Sequence, residues 1–164
     1  MMRILAIDIG NLTGWAALTE SGNIISGIEN LKRSRHDHPG MMLINLESFL
    51  NRIKKQLGGI DYLCYEEGGF CKGTVATQSI ERKKGVLIRW CEVNEVYYQI
   101  VSVQDIKKAA TGKGGGKGTD KNAVKIAAAK RFAHYNPDND EKGDEADALF
   151  ALLISCQQNG IDLP

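Results

Sequence analysis

The stretch Ile4-Leu5-Ala6-Ile7-Asp8-Ile9-Gly10 decides the fold. Its aliphatic and β-branched residues run without polar alternation, so residues 3–9 read as a strand buried on both faces. The carboxylate of Asp8 comes where that strand ends. Working outward, residues 13–19 and 23–28 are two further apolar runs joined by the turn sequence Glu20-Ser21-Gly22-Asn23, giving an antiparallel meander. The period then changes. After the polar break Ser34–Gly40, the residues Met42, Leu43, Leu46, Phe49, Leu50, Ile53 and Leu57 recur at helical spacing. Gly58-Gly59 ends that helix, and residues 60–66 read as a buried parallel strand.

Beyond it the pattern predicts a helix over residues 74–92, with Gly85 inside it. A helical Gly costs about 1 kcal/mol against Ala, and close packing is the expected compensation. Residues 97–103 read as a strand and 104–110 as a short helix. A Lys/Gly loop over 111–118 leads to a helix over 119–134, with Thr119 or Asp120 as N-cap. Residues 136–143 read as a polar loop and 144–157 as the last helix. This order gives an α/β fold: a mixed central β-sheet, antiparallel meander plus parallel strands, flanked by helices. Residues 1–164 are expected to form a single domain.

Net charge is only +1, which argues against extensive nucleic-acid binding unless the charge is segregated. It is segregated. Lys107, Lys108, Lys113, Lys117, Lys121 and Lys125 fall close together, while acids concentrate from Asp138 to Asp147. Cys64, Cys71, Cys91 and Cys156 form no Cys-x-x-Cys pair, and His36, His38 and His134 complete no zinc spacing. Cys64 and Cys156 sit in apolar runs and read as buried thiols. The N-terminal segment is too short and too soon charged for a signal peptide, and no apolar run approaches a membrane span. The expectation is a reduced, cytoplasmic protein with no membrane partner.

Asp8 follows one apolar run and Glu66 another, Tyr62-Leu63-Cys64-Tyr65. Asp144 and Asp147 open the segment Ala148–Ile154. Two carboxylates at strand ends and two at a helix start converge readily in space. Crowded carboxylates stay ionised together at neutral pH when a cation neutralises them, and all-oxygen ligands favour Mg²⁺ or Mn²⁺ over zinc. Each acid also has a plain reading. Asp8 would cap a turn before Gly10 and Asn11, and an acidic first turn suits the dipole of any solvated helix. Glu66 and Glu67 compete for one position, since neighbours on a strand face opposite ways; the one that faces away would be solvated or lie behind the site. Glu145 reads as an acid present for solubility.

The Lys/Gly loop does not make a phosphate-binding P-loop. With Lys117 as the P-loop lysine, Thr111 stands where the first Gly belongs and Gly118 where Ser or Thr belongs. A flexible basic loop tracking phosphates competes with an inert linker. Trp15 reads as a strand core residue.

Taken together, Ile7-Asp8-Ile9-Gly10 with Thr13-Gly14-Trp15, Asp61–Glu66, Lys121-Asn122-Ala123-Val124 and Asp144-Glu145-Ala146-Asp147-Ala148-Leu149 resemble the RuvC-type Holliday-junction resolvases of bacteria and bacteriophages. The resemblance implies an RNase H-like fold and a metal-dependent, structure-selective endodeoxyribonuclease. It implies two Mg²⁺ per site, replaceable by Mn²⁺, on Asp8, Glu66, Asp144 and Asp147, with Asp8 bridging. It further implies Lys121 beside the scissile phosphate, 5′-phosphate and 3′-hydroxyl products, branched DNA as partner, and a homodimer for which the helix over 74–92 is a candidate interface. Phe70 would contact junction bases, although one extra residue separates it from the acid. It competes with a loop aromatic packed on the core. Lys107, Lys113, Lys117 and Lys121 would meet DNA. The competing classes are an actin-like or sugar-kinase ATPase fragment, an RNA-processing RNase H-like nuclease, and a non-catalytic branched-DNA-binding module.

Overall fold

Strand β1 (Ile4–Asp8) lies at the centre of a five-stranded sheet. In this computed structural model, which describes residues 1–67 and 74–163, the strand order is β3-β2-β1-β4-β5. The hairpin β2 (Leu12–Leu18) and β3 (Ile24–Asn30) runs antiparallel to β1 on one side. On the other, β4 (Tyr62–Glu66) and β5 (Tyr97–Val101) are parallel to it. The mixed sheet expected from the sequence is present, with the meander and the parallel strands in their expected places.

Both faces are covered, which is why β1 and β4 carry apolar residues without alternation. Leu5, Ile7, Leu63 and Tyr65 point to α1 (Met41–Leu57) and α2 (Thr74–Val93). Ile4, Ala6, Ala16 and Cys64 point to the opposite face, against α3 (Val103–Thr111), α4 (Lys121–Arg131) and α5 (Asp144–Gln158). The central helix α5 is buried from Glu145 to Leu153 without a break. Cys64 and Cys156 are fully buried, as expected, and burial pushes their thiols up to about 12 and about 11. Trp15 is partly buried and lies 6.2 Å, ring to ring, from Phe49.

Two expectations change. The helix predicted over 119–134 spans only Lys121–Arg131: Asp120 caps it by accepting from Ala123 N at 2.8 Å, and Phe132 leaves the helix to enter the core. Gly85 does not pack closely. A methyl group there would meet nothing within 4 Å, so close approach is not its compensation. No helix among the described residues is long and apolar enough to cross a membrane.

Candidate active site

Side-chain parity brings the strand-end acids together. Residues two apart on a strand share a face, so Asp8 follows Ile4 and Ala6, and Glu66 follows Cys64, toward the α5 side. Because β1 and β4 are parallel neighbours, with Ile7 opposite Tyr65, their carboxylates emerge side by side at the same sheet edge. Glu67 falls on the other parity and is exposed, with its backbone N–H donating to Val101 O at 2.8 Å.

Helix α5 supplies the third acid. On β2, Gly14 pairs with Asp8 and lies beneath the first turn of α5. A Cβ on Gly14 would stand 1.9 Å from the carbonyl oxygen of Asp144 and 2.6 Å from Glu145 N. The missing side chain is therefore what lets α5 start directly on the sheet. Asp140, fully buried before that helix, accepts from Ala146 N at 3.0 Å and from the Tyr135 hydroxyl at 2.9 Å, and so anchors the turn from behind.

The result is a group of three carboxylates, Asp8, Glu66 and Asp147, each with an oxygen within 4.8 Å of the others'. Asp144 stands outside this group. It accepts from Lys121 Nζ at 3.3 Å, and the same ammonium lies 3.0 Å from Asp147 Oδ2. Lys121 thus straddles both α5 acids from the first turn of α4.

The electrostatics follow from the crowding. Burial first, then the charges of Glu66 and Asp147, push the Asp8 carboxyl well above the usual range. Burial and Asp147 raise Glu66 to about 7, against the pull of Lys121 and, more weakly, Lys107. Burial raises Asp147, with Lys121 opposing it. Burial alone would lower the Lys121 ammonium, but Asp147, Asp8 and Asp144 together outweigh it and raise its pKa. Two half-buried carboxylates and one buried one, with unfavourable mutual charge, suit a hard divalent cation, which replaces lost solvation and repulsion with ligation.

Several sequence readings meet the structure differently. Phe70 lies outside the described residues. Lys113 and Lys117 are exposed on the loop between α3 and α4. Glu145 is no solubilising acid: it is buried and accepts from the Ser26 hydroxyl at 2.6 Å, with His134 Nε2 on the other side of that oxygen at 2.9 Å. The sequence reading missed Lys83 altogether. Its side chain is buried, and its ammonium donates to Gly10 O and Asn11 Oδ1, both at 2.8 Å, tying α2 to the loop just after Asp8. In sequence it is one of the basic residues Arg82-Lys83-Lys84 and carries no mark of burial.

Solved structures share this arrangement of elements. Thermus thermophilus RuvC in complex with a Holliday-junction substrate superposes with a TM-score of 0.73 at 15% identity, over 93% of this chain and 92% of that one. The chain has the RuvC fold. A second T. thermophilus RuvC structure matches the RuvC fold here with a TM-score of 0.71 at 14% identity, covering 99% of both chains. The yeast mitochondrial Holliday-junction resolvase Ydc2 matches with 0.61 at 13% identity, over 92% of this chain and 75% of that one. No family model matches the sequence, and no curated protein does.

Proposed function

We propose that this protein is a metal-dependent endodeoxyribonuclease that cleaves four-way DNA junctions. The observation that carries the reading is the convergence of Asp8, Glu66 and Asp147 at one sheet edge of a RuvC fold. Asp8, Glu66 and Asp147 would hold divalent cations, with Asp144 at their margin; Mg²⁺ is the expected ion and Mn²⁺ a substitute. Two such ions, when bound, lower the pKa of an attacking water and stabilise the departing 3′ oxygen.

The chain's own groups do the rest. Lys121, already poised over the α5 acids, donates to a non-bridging oxygen of the scissile phosphate, where charge grows during hydrolysis. Lys107, close enough to Glu66 to affect its titration, approaches the same strand from α3. Lys113 and Lys117 track the backbone beyond the cut, and Phe70 meets junction bases. Paired cuts across a symmetric junction call for two sites, hence a homodimer of single-domain protomers acting in the cytoplasm.

A panel of substrates tests this reading: four-way DNA junctions, flaps, linear duplexes, RNA–DNA hybrids and structured RNA, each with Mg²⁺ and with chelator. The expected result is Mg²⁺-dependent cleavage strongest on the four-way junction, leaving 5′-phosphates. Preference for structured RNA or hybrids would reassign the site to RNA processing, and junction binding without cleavage would make the protein a binding module.

A further inference from the structure

On the α1–α2 side of the sheet, away from α3 and α4, a second positively charged surface meets the same end of β1. Its first part is Lys32-Arg33-Ser34-Arg35, which follows β3 and is exposed throughout. The segment has a defined conformation. Leu31 is buried and its N–H donates to Asn11 O at 2.9 Å; Asn45 Nδ2 donates to Leu31 O at 3.3 Å. Asp37, the nearby acid of this loop, accepts from Ser34 N at 2.8 Å, and Arg33 donates to the Asp37 carbonyl at 2.6 Å. Arg82 of α2 completes the rim.

These groups border two adjoining depressions that share Asn11, Arg33 and Met42, the larger about 720 Å³. Among the described residues lining them, the cations are Lys32, Arg33, Arg35 and Arg82, and there is no carboxylate. The neighbouring acid on α2, Glu81, is paired with Lys84 at 2.9 Å. The first turns of α1 and α2, which contribute Met42, Leu43, Val75 and Ala76 to the floor, carry no acidic residue either, so the helix dipoles add to the same sign. Asn11 lies three residues beyond Asp8, within about 11 Å by chain reach. Lys83 fixes the distance between α2 and that loop.

We propose that this groove is a second DNA-binding surface, which holds the backbone of a duplex arm on the side of the carboxylates opposite the Lys113/Lys117 loop. The inference rests on the nuclease reading. The two basic banks flank the acid group, one on each face of the sheet, so a strand threaded through the acids continues into a cationic bed either way. Four cations with no carboxylate among the described lining residues match a polyanion, and the apolar floor suits deoxyribose carbons between phosphates. A bent junction presents such an arm, whereas a short duplex end does not reach past the acids.

Equilibrium binding in Ca²⁺ over a range of salt tests the proposal, using wild-type protein, a Lys32→Ala/Arg35→Ala/Arg82→Ala triple variant, a Lys113→Ala/Lys117→Ala double variant, and long- and short-armed four-way junctions. On long arms the triple variant should lose about 2 to 3 units of log–log salt slope, since each phosphate contact contributes about 0.9. On short arms its slope should match wild type, whereas the double variant should be flattened on both. Restoring charge as Arg35→Lys/Arg82→Lys with Lys32 intact should return the long-arm slope, which separates charge loss from misfolding. An unchanged long-arm slope in the triple variant overturns the proposal while leaving the nuclease reading intact. The same unchanged slope accompanied by loss of the dimer gives the groove to a second copy of the chain. Wild-type protein that binds no junction overturns both readings.

Discussion

Asp8, Glu66 and Asp147 hold negative charge where burial and one another make it costly, and this has consequences measurable without any substrate. Glu66 in the folded protein titrates at about 7, against an ordinary value of 4.5. A carboxyl raised in this way stabilises the fold below its ordinary pKa, and the contribution is lost as pH rises through the folded value. For Glu66 this amounts to something on the order of 3 kcal/mol between about pH 5 and about pH 8 in metal-free protein. Asp61, held below its ordinary range by hydrogen bonding to Arg3, titrates under this window and does not mask it. Thermal melts in chelator should therefore show falling stability across the window. Glu66→Gln should flatten the fall, and Asp8→Asn should raise the metal-free melting temperature at pH 8. A flat wild-type profile would mean that the acids are not crowded in solution.

Lys121 offers a second test at this scale. If its ammonium serves the transition state, Lys121→Ala should depress single-turnover cleavage about 100-fold while changing junction affinity little. Equal losses in both would make it a binding residue. The strand acids were legible from sequence because each ends an apolar strand and stands in a motif of the resembling family; that Asp8 and Glu66 share a face follows only from the parallel register of β1 and β4. Glu145, Asp140 and Lys83 were not legible, because their burial depends on how helix and loop surfaces meet the sheet, which no local pattern encodes.

Two glycines separate what an element needs for itself from what the site needs of it. Gly14 is required by contact, since any Cβ drives into the backbone of Asp144 and Glu145. Gly14→Ala should displace the first turn of α5, costing several kcal/mol in stability, on the order of other overpacked core positions, and lowering metal-dependent stabilisation with it. Gly85 meets nothing, and Gly85→Ala should stabilise α2 by up to about 1 kcal/mol, read as a rise in denaturation midpoint. A destabilising Gly85→Ala would show that α2 is covered in solution, which the proposed homodimer allows. At this scale α1 was readable from its period and the Gly58-Gly59 stop, and α5 from the apolar run that Asp144 and Asp147 open, both almost to the residue. The end of α4 was not, because Phe132 leaves the helix for a core whose shape only the tertiary fold defines.

For the whole molecule, a net charge of +1 conceals a division of labour. Acids gather at the carboxyl edge of β1 and β4 and at the start of α5, while cations stand on both sides of them. The Lys-rich side was visible as a run in sequence. The Lys32–Arg35 side was not recognised, because its fourth cation, Arg82, arrives from a helix distant in the chain. The mixed sheet and its covering helices followed from the switch between strand and helix periods, so the architecture was legible where the charge distribution was only half so.

The claim that most needs testing is that the converging carboxylates form a cation-dependent phosphodiesterase site. The direct measurement is single-turnover cleavage of a four-way DNA junction in Mg²⁺ by wild-type protein and by Asp8→Asn, Glu66→Gln and Asp147→Asn, each first shown to bind the junction in Ca²⁺. The account predicts cleavage by wild type that chelator abolishes, and binding without cleavage in all three variants. Cleavage that persists in chelator, or in any variant at the wild-type rate, would contradict it.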